Sequence, residues 1–184
     1  MQKRLAILSG PKGSGKTTVC RKLVELARQR GLDCAGILAP AHFEGARKVG
    51  IDLLDVRGGE RRPLAKADNL PGELRTAAYR FDVSTIQWGT ALLDAACPCD
   101  VLVIDEIGPL ELERGQGWIN ALNVLHSGQF ELAVVVVRPA LLDTFHRLLH
   151  SKPQETPIKS ERVFTLPIPG ANPDDLPFAI LSLM

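Results

Sequence analysis

The chain has no long apolar run, no excess of either charge and few cysteines, and each shortage excludes something. No apolar stretch among its 184 residues approaches the length of a membrane span, and the first residues run straight into a strand-like segment with no room for a cleavable leader. We therefore expect a soluble, cytoplasmic protein with no membrane partner. Twenty-two basic and 21 acidic residues give a formal net charge of +1 with the signs interleaved, so no basic face for nucleic acid is expected. The four cysteines, Cys20, Cys34, Cys97 and Cys99, suit small buried apolar positions better than a disulfide framework. Cys97-Pro98-Cys99 has no second cysteine or histidine pair to complete a zinc site. His42, His126, His146 and His150 likewise lack metal spacing. Internal repeats and low-complexity tracts are absent, and a 45% hydrophobic composition at this length supports one domain, residues 1–184, with a substantial core.

What is present is organised around Gly10-Pro11-Lys12-Gly13-Ser14-Gly15-Lys16-Thr17, which fits G-x-x-x-x-G-K-[ST] at every fixed position. The apolar Arg4-Leu-Ala-Ile-Leu8 precedes it as a strand, and residues 18–30 follow with helical periodicity. Gly10, Gly13 and Gly15 can take backbone angles closed to other residues, so successive N–H groups, with those of Pro11's neighbours, Ser14 and Thr18, turn toward a phosphate at the helix N-terminus. Lys16 adds a charge for the β- and γ-phosphates, and Thr17 offers a hydroxyl to Mg²⁺. Lys12 reads either as a phosphate contact or as a solvated loop lysine. The implied ligand is a nucleoside triphosphate, with Mg²⁺ as cofactor.

Downstream, Val101-Leu102-Val103-Ile104 is a continuous apolar run of buried parallel-strand type that ends in Asp105-Glu106. Asp105 is the expected second metal-binding residue, opposite Thr17. Glu106 is placed to orient an attacking water, and with Lys16 it completes the expected catalytic pair. Arg138, after a second apolar strand over residues 130–137, either neutralises γ-phosphate charge or merely caps a strand end. Glu111 and Glu113 read as solvated acids.

Between these landmarks, residues 34–67 read as a β-rich antiparallel insert with a turn at Gly58-Gly59, and residues 68–76 as an exposed loop. Ser84 caps a helix through residue 96, residues 115–126 form a helix, and Pro139 opens another that ends at His150. Residues 151–160 form a polar loop, Val163-Phe-Thr-Leu166 a last strand, and Asn172-Pro173 opens a closing helix. Strands alternating with helices predict a three-layer α/β fold with a mainly parallel sheet and ligand at the strand carboxyl ends.

Val103-Ile-Asp-Glu-Ile-Gly-Pro-Leu-Glu-Leu112 resembles the Walker B segment of the THEP1-type nucleoside triphosphatases, which include the cancer-related nucleoside triphosphatase. Gly36-Ile-Leu-Ala-Pro40, the segment from Arg47 to Leu53, and Tyr79-Arg80-Phe81-Asp82-Val83 are similar to other segments of that family in the same order, so the likeness runs to about Val137. The resemblance implies a RecA-like P-loop core and Mg²⁺-dependent hydrolysis of several triphosphates by a nucleoside-triphosphate phosphohydrolase. Lys16 and Thr17 would bind phosphate and metal, Asp105 would support Mg²⁺, and Glu106 would be the catalytic carboxylate. The chain departs from the family at Pro11-Lys12, and at Pro173, which stands in place of an arginine. Two other readings remain: a MobB-like GTP-binding accessory protein of molybdenum cofactor synthesis, which shares the P-loop pattern, and a small-molecule or nucleotide kinase. No N-K-x-D pattern specifies guanine.

Overall fold

In the computed structural model, which describes residues 3–68, 74–76, 78–151, 163–167 and 174–184, three continuous apolar runs lie side by side at the centre of the molecule. They are β1 (Arg4–Ser9), β7 (Val101–Ile107) and β8 (Leu132–Val137), all parallel and buried on both faces, as such runs require. β2 (Cys34–Leu38) pairs in parallel with β7, and β9 (Val163–Pro167) with β1, giving the core order β2-β7-β8-β1-β9. Successive side chains alternate between the two faces. Leu5, Ile7, Ile104 and Val135 pack beneath α2 (Val83–Asp94), α3 (Pro109–Arg114), α4 (Ala121–Ser127) and α5 (Leu142–His150), where Ile86, Leu110, Leu125 and Phe145 join them. Ala6, Leu8, Val103 and Val134 pack beneath α1 (Lys16–Gln29) and α6 (Leu176–Leu181), with Val19, Leu23 and Ile180. The expected three-layer α/β fold is therefore present. Each large side chain fully removed from water contributes about 1.5–3 kcal/mol.

The antiparallel segment is an extension of the same sheet. β3 (Ala41–Glu44), β4 (Arg47–Asp55), β5 (Arg61–Lys66) and β6 (Arg80–Phe81) continue it outward, because β4 pairs antiparallel with β2 through Ile37↔Asp55 and Leu38↔Leu54. The expectation that the insert begins at residue 34 is corrected. Cys34–Leu38 is buried throughout and belongs to the parallel core, so the antiparallel part starts after it. Gly36 makes that junction possible: its φ is 108°, and a Cβ there would lie 2.0 Å from the Val103 carbonyl oxygen. Asp52, buried on β4, is held by Arg61 Nη2 at 2.6 Å and His42 Nδ1 at 2.9 Å.

Several helix boundaries differ from the sequence expectation. α1 starts at Lys16, two residues early, because Gly15 in the left-handed region already turns the chain into it. Asp82 caps α2 in place of Ser84, accepting from the Thr85 backbone N–H at 2.8 Å, and the helix ends at Asp94. Of the helix expected over residues 115–126 only the second half forms, as α4; residues 115–120 turn instead, with Gly115 and Gly117 at positive φ, and the short α3 precedes them. Of the loop expected over residues 68–76, 69–73 lie outside the described residues, while Leu74 is buried and Arg75 bridges to Arg80. Most of the 151–160 loop and the Asn172-Pro173 helix start also lie outside the described residues.

Candidate active site

The strand order sets the spacing of the site. β8 lies between β1 and β7, so the loop after β1 and the acids of β7 emerge two strand spacings apart, about 10 Å. Into that gap project the N-terminus of α1, Asp105, Glu106 and, from the end of β8, Arg138.

The loop after β1 closes as the motif requires. Gly13 and Gly15 have φ of 81° and 93°, where a Cβ would meet no other atom, so the requirement for glycine there is conformational. Gly10, expected to share this geometry, is not among the glycines with positive φ. Pro11, Lys12 and Gly13 are exposed, as is Thr18 in the first turn of α1. Lys16 is buried, and its Nζ donates to the carbonyls of Gly10 at 2.8 Å and Pro11 at 2.7 Å and reaches Ser14 Oγ at 3.3 Å. Burial lowers its pKa against the opposing pull of Glu106 and Asp105. The lysine is thus laid along the inner rim of the loop, where phosphate oxygens would replace its carbonyl partners.

Asp105 is 2% exposed. Its Oδ2 accepts from the Ala39 backbone N–H at 3.1 Å, and the Thr17 hydroxyl also donates to it. Burial pushes its pKa up to about 6, with these two bonds and Lys16 opposing. The donor set fits a hard divalent cation: a buried carboxylate short of compensating charge, touching a hydroxyl oxygen. Among the described residues no group of three or more His, Cys, Asp or Glu could hold a metal. Thr17 and Asp105 are the residues that would hold Mg²⁺. Glu106, joined to Asp105 by a cis peptide, sits at an irregularity in β7 between Ile104 and Ile107 and accepts a hydrogen bond from Arg138 Nε.

Three residues that the sequence reading did not place in the site also border it. Tyr79 bridges the antiparallel extension to the phosphate loop, with Lys12 Nζ 5.1 Å and Lys48 Nζ 5.4 Å from its ring centroid. Burial pushes the Tyr79 hydroxyl pKa up, but bonds and charge from Lys48 and Lys12 outweigh it and the net direction is down. Lys12 therefore faces the tyrosine and contacts the site from its rim. Glu111 is not a solvated acid: it accepts from the N–H groups of Gly108 at 2.9 Å and Trp118 at 3.1 Å, fixing the turn after Glu106, and burial raises its pKa. Trp118 is buried beside it. Gly108 three residues before Glu111, and the broken run at Gly115 and Gly117, were the available signals for this closed turn. The cysteines are free, with Cys20, Cys34 and Cys99 buried.

The sequence profile of the NTPase family matches residues 5–156, which includes the loop, both acids and Arg138. The chain belongs to the NTPase family. Nucleoside-triphosphatase THEP1 of Caldivirga maquilingensis is 33% identical over 129 residues, 70% of this chain and 73% of that protein. Its namesake from Ignicoccus hospitalis is 40% identical over 106 residues, 58% of this chain and 60% of that one. The solution structure of a human cancer-related nucleoside triphosphatase superposes with a TM-score of 0.72, covering 98% of this chain and 97% of that one, at 24% identity, which is a likeness of fold. The three-layer α/β fold with a mainly parallel sheet and the family resemblance, both read from the sequence, are borne out. No described helix is long and apolar enough to cross a membrane.

Proposed function

We propose that this chain is a Mg²⁺-dependent nucleoside triphosphatase of the cytoplasm that hydrolyses NTP to NDP and phosphate, with ATP and GTP among its substrates. The observation that carries the reading is the convergence of a buried Lys16 in a phosphate loop with Asp105 and a Glu106–Arg138 pair across one gap. The loop N–H groups and Lys16 bind and orient the β- and γ-phosphates. Thr17 and Asp105 would hold Mg²⁺, which would supply positive charge to neutralise the triphosphate. Glu106 holds a water in line with the γ-phosphorus and takes its proton, and Arg138 fixes the carboxylate's orientation while adding positive charge on the γ side. The names of the relatives support this reading over an adaptor or a kinase.

The test is Glu106→Gln, with phosphate release and nucleotide affinity measured separately across ATP, GTP, CTP and UTP. Phosphate release should fall by roughly 10²–10⁴-fold while affinity stays within a few-fold. Unchanged release in the variant would remove Glu106 from the mechanism.

A further inference from the structure

A cavity of about 330 Å³ opens beside the acids, and the phosphate loop accounts for almost none of its wall. From the loop only Lys12 reaches it. Asp105, Glu106 and Arg138 close one end, and the remainder runs beneath the antiparallel extension and α3. An attacking water needs about 30 Å³, so the cavity is about ten times larger than hydrolysis requires.

The nucleoside does not belong there. In the function proposed above, on which this point rests, Asp105, Glu106 and Arg138 surround the γ-phosphate, so the α-phosphate and nucleoside leave on the opposite side of the cradle. The cavity walls are instead those of a small-molecule site. Leu64, Ile86, Leu110 and Trp118 are buried in its floor, and Tyr79 and Phe81 are partly covered at its side.

Its charges select the ligand further. Each acid in the wall has a partner: Asp105 the Ala39 N–H, Glu106 the Arg138 guanidinium, Glu111 the Gly108 and Trp118 N–H groups. The cations Lys12 and Arg114 do not have acidic ones. Lys12 faces the Tyr79 ring and Arg114 donates to the Arg75 carbonyl at 2.8 Å, and neither pairs with a carboxylate among the described residues. A ligand with a flat apolar body and one acidic group satisfies both features, its ring among the aromatic and aliphatic walls and its carboxylate between Lys12 and Arg114. We propose that this cavity is a second binding site, for a small aromatic carboxylate, adjoining the γ-phosphate side of the nucleotide site. Its occupant would touch the Glu106–Arg138 pair, so filling it alters turnover without displacing nucleotide.

Isothermal titration of the full chain, without nucleotide, with 2-naphthoate and with neutral 2-naphthylmethanol tests the site. The carboxylate should bind at one site, roughly tenfold more tightly than the alcohol. Arg114→Ala should erase most of that preference. Ala78→Trp, at an exposed loop position in the wall, and Ile51→Trp, on β4, should each weaken binding at least roughly tenfold through lost space. Melting curves confirm that both variants fold. Saturating 2-naphthoate should leave ATP·Mg²⁺ affinity unchanged and shift phosphate release in the wild type but not in Ala78→Trp. Equal binding by wild type and both filled variants, equal binding of acid and alcohol, or competition with ATP·Mg²⁺ would overturn the proposal. The binding arms contain no hydrolysis step, so they stand or fall independently of the Glu106→Gln result.

Discussion

Replacing Asp105 by Asn should stabilise this protein in the absence of ligand and disable it in the presence of metal and nucleotide. The carboxyl is buried, and its pKa is pushed from the ordinary 3.8 to about 6. At about 1.4 kcal/mol per pH unit, keeping it ionised at neutral pH costs the fold up to about 3 kcal/mol. Asparagine occupies the same volume, can still accept from the Ala39 N–H and can reach the Thr17 hydroxyl, so it removes the charge and keeps the bonds. The gain should fall between about 1 and 3 kcal/mol, or about 3–10 °C in Tm for a chain of this size. The pH dependence carries the sign. Between pH 3.8 and 6 the native state holds more protons than the unfolded chain, so wild-type stability falls as pH rises through that window and is flat above it. The variant's advantage should be absent near pH 4 and complete above pH 6. Calorimetric melting at pH 4, 6 and 8 measures it, and added ATP with Mg²⁺ should reverse the order, since only the wild type gains from ligand. A variant less stable than wild type at pH 8 without ligand, or one whose advantage persists at pH 4, would refute the argument that burial dominates this carboxyl.

Three further outcomes are expected. Arg138→Ala should lower turnover at least roughly tenfold, with KM little changed. Because the Arg138–Glu106 pair is partly solvated, denaturant melts should move by less than about 1 kcal/mol, and unchanged turnover would reduce Arg138 to a strand-end cation. Gly89→Ala should destabilise by about 1–3 kcal/mol despite alanine's higher helix propensity, since its Cβ would lie 2.5 Å from Trp118 Nε1 and 2.9 Å from Leu53 Cδ2. A neutral or stabilised Gly89→Ala in chemical denaturation would show that the contact relaxes. Cys97 should be the first thiol alkylated by iodoacetamide, because it alone of the four is not buried and the neighbouring Cys99 holds its pKa below the ordinary thiol value, while burial raises those of Cys20 and Cys34. Peptide mapping with Cys34 labelled first would contradict this.

The elements legible in the sequence were those with a local physical cause. The phosphate loop is set by Gly13 and Gly15, and β7 and β8 by apolar runs that only a covered sheet can bury. What stayed hidden depends on distant chain. Glu111 reads as a solvated acid, yet it sits in α3, which Pro109 opens, and reaches back to the Gly108 N–H and forward to that of Trp118. Nothing local makes Glu111 partly buried; the turn folding over it does. Asp82 carried a readable signal, an acid three residues before Thr85, but Ser84 offers a competing cap, and the helix start chose between them. Ala39 contributes to the metal-side carboxylate through its backbone alone, and no side-chain pattern encodes that. The cavity needed Tyr79 to converge with Arg114 and Trp118 from a distant segment.

The run Val134-Val135-Val136-Val137 has a less obvious consequence. A slide of β8 by two residues, about 7 Å, would keep every side chain on an apolar face, so hydrophobic patterning leaves its alignment degenerate. Yet Val137 is level with Ser9 on one side and Ile107 on the other, which brings Arg138 abreast of Glu106's turn. The degeneracy is lifted at the opposite end of the sheet, where Cys99 N–H donates to the Gln129 carbonyl, Leu132 N–H to that of Asp100, and Arg4 N–H to that of Glu131. The strands behave as a vernier whose zero is set about 20 Å from the scale that is read. Changes around Gln129 and Glu131 would therefore surface first as misaimed chemistry, before any loss of fold.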